Sequence, residues 1–161
     1  MRRVFMSAIF VAAISLFSAC VTPLPSGPVV LGDYGGLPII AGTPHEAALL
    51  AVYRDHHHGL ILTDATTYTV RSGDFMASIA WNLYGDGYFY PIIMLASYQI
   101  VLDPDRIEPG MVLTVPNLET NLNNPTARAN IRSFLLEIAN IEDARGRGAT
   151  AAGIRQRANA L

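Results

Sequence analysis

The chain has 161 residues, 51% of them hydrophobic, with 13 acidic against 11 basic residues and a formal net charge of −2. Every basic residue is arginine, and no dense basic stripe occurs, which argues against nucleic acid as a partner. The length suits one domain of modest core plus extensions, and the single cysteine, Cys20, rules out an intrachain disulfide framework.

The chain opens "MRRVFMSAIFVAAISLFSAC": Arg2 and Arg3 precede an apolar run over residues 4–17 that is too short for a transmembrane helix. This predicts a secretory signal over residues 1–19. Ser18 and Ala19 lead into Cys20, and a lone cysteine at the end of such a run resembles the lipobox of bacterial lipoproteins. The resemblance implies a lipidated Cys20 as the mature N-terminus, with Phe17 standing where that pattern carries an aliphatic residue. The alternative is an ordinary signal peptide that leaves a free thiol. Several acyl chains, at about 0.8 kcal/mol per buried methylene, would hold the protein on a membrane facing the periplasm or the cell exterior. Without Arg2 and Arg3 the formal charge falls to −4.

Residues 20–43 are rich in proline and glycine and lack periodicity, as expected of a tether. Its ends would lie about 25–30 Å apart as a flexible coil and about 80 Å apart when extended. Thr43, Pro44 and Glu46 form a capping-box start, and Leu49, Val52, Tyr53 and His56 share a helical face up to Gly59. This predicts a helix over residues 44–58, followed by an extended link, "LILTD", to residue 64.

Between residues 65 and 118 the pattern changes. Tyr68 and Val70 alternate with polar neighbours as in a half-buried strand, and Ser72-Gly73 turns the chain. Ile79, Ala80 and Leu83 follow at helical spacing until Gly85-Asp86-Gly87. "YPIIMLASYQ" predicts a second short helix with Pro91 in its first turn, "DPDRIEPG" a loop, and "MVLTVP" a closing strand. Beyond "ETNLNN", Asn124 and Pro125 start a helix with an apolar stripe on Ile131, Phe134 or Leu135, Ile138 and Ile141. Gly146 and Gly148 break it, and "ATAAGIRQRANAL" restarts, giving a helical hairpin over residues 119–161.

The motifs "YTVRSGD", "SIAWNLYG", Tyr90 with Ile93 and Ala96, and "IEPGMVLTVP" stand in the order and spacing of the LysM domain, which this stretch resembles. The resemblance implies an α+β fold: a βααβ core preceded by one helix and followed by the C-terminal hairpin. It also implies recognition of N-acetylglucosamine-containing glycans, peptidoglycan or a chitin-like polymer, without catalysis or cofactor. The glycan would lie between two loops. One carries Gly73, Asp74, Phe75 and Met76; the other carries Asp105, Arg106, Ile107, Glu108 and Pro109. This chain has Phe75 and Met76 where the family carries a small hydroxyl and Leu, Tyr90 for a Trp, and Ser97 for an Asn. Phe75 and Met76 either line the groove or plug the core.

Other chemistries find less support. "DHHHG" contains adjacent histidines, but on a helix neighbours fan out by about 100° and cannot converge on one metal, so His56, His57 and His58 read as a solvated last turn and no metal site is expected. A cysteine peptidase lacks a second cysteine, a glycosidase lacks a paired carboxylate cleft, and "SGD" lacks the spacing of a phosphate loop. The expected function is therefore a lipid-anchored protein tethering the envelope to peptidoglycan. The alternatives are an envelope assembly factor that docks a protein partner through its C-terminal hairpin, and an accessory wall hydrolase.

Overall fold

In the computed structural model the residues described are 41–161; the signal, Cys20 and most of the tether lie outside them. Eight regular elements run in the order α1 (Pro44–His56), β1 (Thr66–Thr69), α2 (Met76–Tyr84), α3 (Tyr90–Ser97), β2 (Val112–Val115), α4 (Leu118–Asn123), α5 (Pro125–Ala144) and α6 (Gly148–Ala160), with short 3₁₀ turns at His57–Gly59, Gly87–Phe89 and Pro104–Arg106.

The fold is α+β with a two-stranded antiparallel sheet, Thr66 opposite Val115 and Tyr68 opposite Leu113. β1 begins two residues before Tyr68, and the pairing continues past its end: the Val70 N–H donates to the Met111 carbonyl at 2.8 Å and the Gly110 N–H to the Val70 carbonyl at 2.9 Å. That extension carries the two loops of interest outward from one end of the sheet. α3 is apolar on nearly every face because it is wrapped on nearly every face. Ile92, Ile93, Met94 and Leu95 are all fully buried, with β2, α2 and α5 around them.

The end of α3 is tied to β2 by Ser97, whose buried hydroxyl accepts from the Thr114 N–H at 2.9 Å and donates to the Thr114 carbonyl at 3.2 Å. At the end of α2, Gly85 adopts φ +74° and closes the helix. Its neighbour Tyr84 donates to the Pro116 carbonyl at 2.9 Å, and burial pushes that phenol well above its ordinary pKa.

The flanking helices depart from the sequence reading in three places. α1 starts as expected, with Thr43 Oγ1 accepting from the Glu46 N–H, but its buried face also takes in Leu50, while Val52 is only partly buried against the core. "LETNLN" forms a helix, α4, because Asn117 caps it and Asn121 locks it down. The Asn121 amide is fully buried, accepting from the Ile61 N–H and donating to the Ile61 and Asn117 carbonyls, all at 2.9 Å. The same bonds pin the link after α1, which starts extended at Leu60, joins no sheet and ends in a turn at residues 63–64.

Third, His56 is not part of a solvated turn. Its ring is buried against Phe134, with Nδ1 2.9 Å from Asn130 Oδ1 and Nε2 2.9 Å from Glu137 Oε1, both on α5. His57 is half-buried, so desolvation lowers its pKa, and only His58 is exposed. Gly146, at φ +78°, ends α5, whereas Gly148 begins α6 instead of breaking a helix. Among the described residues no helix is long and apolar enough to cross a membrane.

Candidate functional site

The loop after β1 is held by one carboxylate. Asp74 Oδ2 accepts from the Arg71 N–H and from the Tyr68 hydroxyl, both at 2.8 Å, closing a tight turn whose corner is Gly73 at φ +89°. The Arg71 N–H first, and the Tyr68 hydroxyl second, hold the Asp74 carboxyl below the usual carboxylate range. A Cβ on Gly73 would meet nothing within 4 Å, so the residue is required by its backbone angle and not by a close neighbour. Asp74 therefore caps the turn and not α2. Phe75 sits at the N-cap of α2 in extended conformation, and Ser78 Oγ accepts from its N–H at 3.1 Å.

That extended residue decides where the next two side chains go. Phe75 is 61% exposed and Met76 only 3%. The pair is thus split: Met76 plugs the core, and Phe75 stands on the surface at the mouth of the loop.

The second loop is built on Asp103, whose carboxylate accepts from the Asp105 N–H at 3.0 Å. Its side chains turn toward the flanking helices. Asp105 meets Arg147 and Arg145, the latter at 3.2 Å, in and beside the turn between α5 and α6. Arg106 reaches Glu46 of α1 at 3.0 Å while remaining largely exposed. Arg147 first, then Arg145, hold the Asp105 carboxyl below its ordinary range against the opposing effect of partial burial. Ile107 is half-buried, and Glu108 and Pro109 are exposed.

The two loops approach each other at a small cavity of about 160 Å³ lined by Phe75, Met76, Tyr90, Pro104 and Asp105. Arg147 and Thr150 of the hairpin supply a further wall. Of the nine residues expected to face a glycan, Phe75, Met76 and Asp105 line this cavity; Gly73, Asp74, Arg106, Ile107, Glu108 and Pro109 do not. No local pattern announces the hairpin wall, since Arg147 lies 42 residues from Asp105.

A larger concavity, about 640 Å³, lies at the far end of the sheet between α2, β2 and α4 and includes none of these residues. Among the described residues no three His, Cys, Asp or Glu side chains converge as a metal-binding group.

An antiparallel pair of strands enclosing two short helices, with two turn-rich loops at one end of the sheet, defines a small βααβ binding module. Residues 68–116 match the LysM domain, a family of modules that bind peptidoglycan and related glycans. The "Potassium binding protein Kbp" of Escherichia coli O6:H1 is 39% identical over 54 residues, which cover 34% of this chain and 36% of that protein. "Esterase Rv1288" of Mycobacterium tuberculosis is 41% identical over 56 residues, covering 35% of this chain and 12% of the esterase. An uncharacterized protein of Deinococcus radiodurans is 43% identical over 54 residues, 34% of this chain and 21% of its own. The similarity thus spans about a third or less of each of these relatives. No solved structure matches.

Proposed function

We propose that this protein binds peptidoglycan, or a closely related N-acetylglucosamine polymer, through residues 68–116, and that it does so without catalysis. The observation that carries the reading is the βααβ module itself, with its two loops meeting at one end of the sheet and Phe75 presented at their junction. Such a surface suits a neutral sugar. Backbone groups at the turns can meet an N-acetyl amide, while an exposed ring covers an apolar sugar face.

The proposal extends to the whole chain. Residues 1–19 would be a signal peptide, Cys20 a lipid-anchored N-terminus and residues 20–43 a tether to the folded part. The protein would then face the periplasm or the cell exterior and link a membrane to the wall. A single shallow site binds weakly, but an anchor that confines it near the polymer makes rebinding effectively intramolecular.

The alternative docking role would be favoured by exposed apolar residues on α5. Phe134 and Ile138 are instead buried, and Ile141 is partly buried. The test is co-sedimentation of the full chain with purified peptidoglycan sacculi. Retention in the pellet is expected, and so is weaker retention when Gly73 is replaced by a β-branched residue that distorts the first loop. A protein that stays in the supernatant even at high concentration overturns the reading.

A further inference from the structure

Among the described residues the exposed aromatic side chains are not scattered. Of the five large apolar residues that stand out of the surface there, Phe75, Trp81 and Tyr88 line one groove of about 560 Å³. Trp81 is the only tryptophan and, at 63% exposure, the most exposed of the five. Phe75 is the extended N-cap of α2, and Trp81 lies six residues on, about 9 Å further along the axis; both side chains line the groove.

The opposite wall comes from outside the LysM segment. Thr150, Gly153 and Arg157 share one face of α6, and the missing side chain of Gly153 lets the Tyr88 ring lie directly on that helix. Any Cβ at Gly153 would overlap the ring. Asp86 fixes the corner: Oδ1 accepts from the Tyr88 N–H at 2.9 Å, and Oδ2 accepts from Arg157 Nε at 2.5 Å. The Arg157 guanidinium sits 5.1 Å above the Tyr88 ring. Gly87 is needed because a Cβ there would come within 2.9 Å of the Ala77 carbonyl. Asp86 and Gly87 of the "YGDG" turn thus line a built groove.

We propose that this groove is a second saccharide subsite, which extends the loop site and takes the next sugars of a longer glycan strand. The inference rests on the glycan-binding reading above. Three observations select a saccharide. The groove and the loop cavity share Phe75, Ala77, Tyr90 and Thr150, so a polymer leaving one enters the other. The rings alternate with Ser78, Asn82, Asp86 and Arg157, matching a pyranose with its apolar face and polar rim better than the unbroken apolar stripe of a partner helix. The two charges in the groove are paired with each other, so a strongly charged ligand finds no uncompensated partner.

The test uses the full chain with chito-oligosaccharides, a disaccharide against longer oligomers, and Trp81 emission as a direct reporter. Longer oligomers are expected to shift the emission and to bind about tenfold tighter than the disaccharide. Trp81→Ala should remove that gain while leaving disaccharide affinity unchanged by calorimetry, and Trp81→Phe should restore most of it. Because the side chain is exposed, the variant should keep its circular dichroism spectrum and unfolding midpoint. If all lengths bind equally and the emission is unchanged, the extension fails while the loop site stands. If no oligomer binds, the glycan-binding reading fails and this inference with it. Emission that changes with protein concentration alone would assign the groove to a second copy of the chain and overturn the proposal.

Discussion

Asp105, at the tip of the loop that leads into β2, places its carboxylate on the guanidinium of Arg147, in the turn that joins α5 to α6. Arg145 reinforces the contact at 3.2 Å and also reaches Asp103 at 3.3 Å. A loop of the candidate glycan site is therefore clamped to the C-terminal hairpin. The same contact sets Arg147 in the wall of the loop cavity.

The clamp should show in the pH dependence of stability. Arg147 holds the Asp105 carboxyl below the range it would have in the unfolded chain. Its stabilisation is then complete above an unfolded value of about 3.9 and is lost as pH falls through the lower, folded value. The side chain is 48% exposed, so solvent screening keeps the effect small. Calorimetric unfolding between pH about 5 and about 2 should show a shallower decline for Asp105→Asn than for the unaltered protein. Equal slopes would mean the pair contributes nothing.

Ser97 makes a sharper prediction. Its hydroxyl is the partner of both the N–H and the carbonyl of Thr114. Ser97→Ala removes little volume but leaves that partly buried N–H without a partner, at an expected cost of about 1–3 kcal/mol. Denaturant unfolding measures it directly, and an unchanged midpoint would show that water replaces the hydroxyl.

A comparable cost belongs to Asn121, which the sequence did not mark. Asn121→Ala would orphan the Ile61 N–H and carbonyl together, and about 2–4 kcal/mol is expected from two partly buried groups left unpaired. Hydrogen exchange at Ile61 should quicken in the same variant. Slow exchange there would show that α4 is held by other contacts.

Phe75 and Met76 should respond in opposite ways to truncation. Met76→Ala opens a cavity in the core and should cost about 2–5 kcal/mol, whereas Phe75→Ala should stay within about 0.5 kcal/mol of the unaltered protein. Chemical denaturation of the two variants in parallel distinguishes them. Similar losses in both would contradict the placement of Phe75 on the surface.

These residues also show where sequence reading reaches its limit. The βααβ order was legible because its boundaries are local: Gly73, Gly85, Pro91 and Pro116 punctuate it, and the apolar spacing between them is clear. α4 was not legible, because "LETNLN" has no apolar periodicity and owes its shape to Asn121 bonding a backbone 60 residues away. The spacing of His56 puts it on the apolar face of α1, but its partners Asn130 and Glu137 lie 74 and 81 residues along the chain, beyond any local pattern. For Phe75 and Met76 the composition was equal either way, and only the extended N-cap conformation decided which one turned outward. The Asp105 clamp and the α6 wall of the groove likewise join segments about 40 or more residues apart, with no local pattern to announce them.

In the proposed function the loops at residues 73–76 and 105–109 meet a glycan. Its most direct test is titration of the full chain with muropeptide and chitin fragments while the backbone amides of both loops are followed by nuclear magnetic resonance. Saturable shifts are expected, concentrated in those two loops, with the amides of α4 unmoved. Shifts that never appear there, or that gather instead around α4, would contradict it.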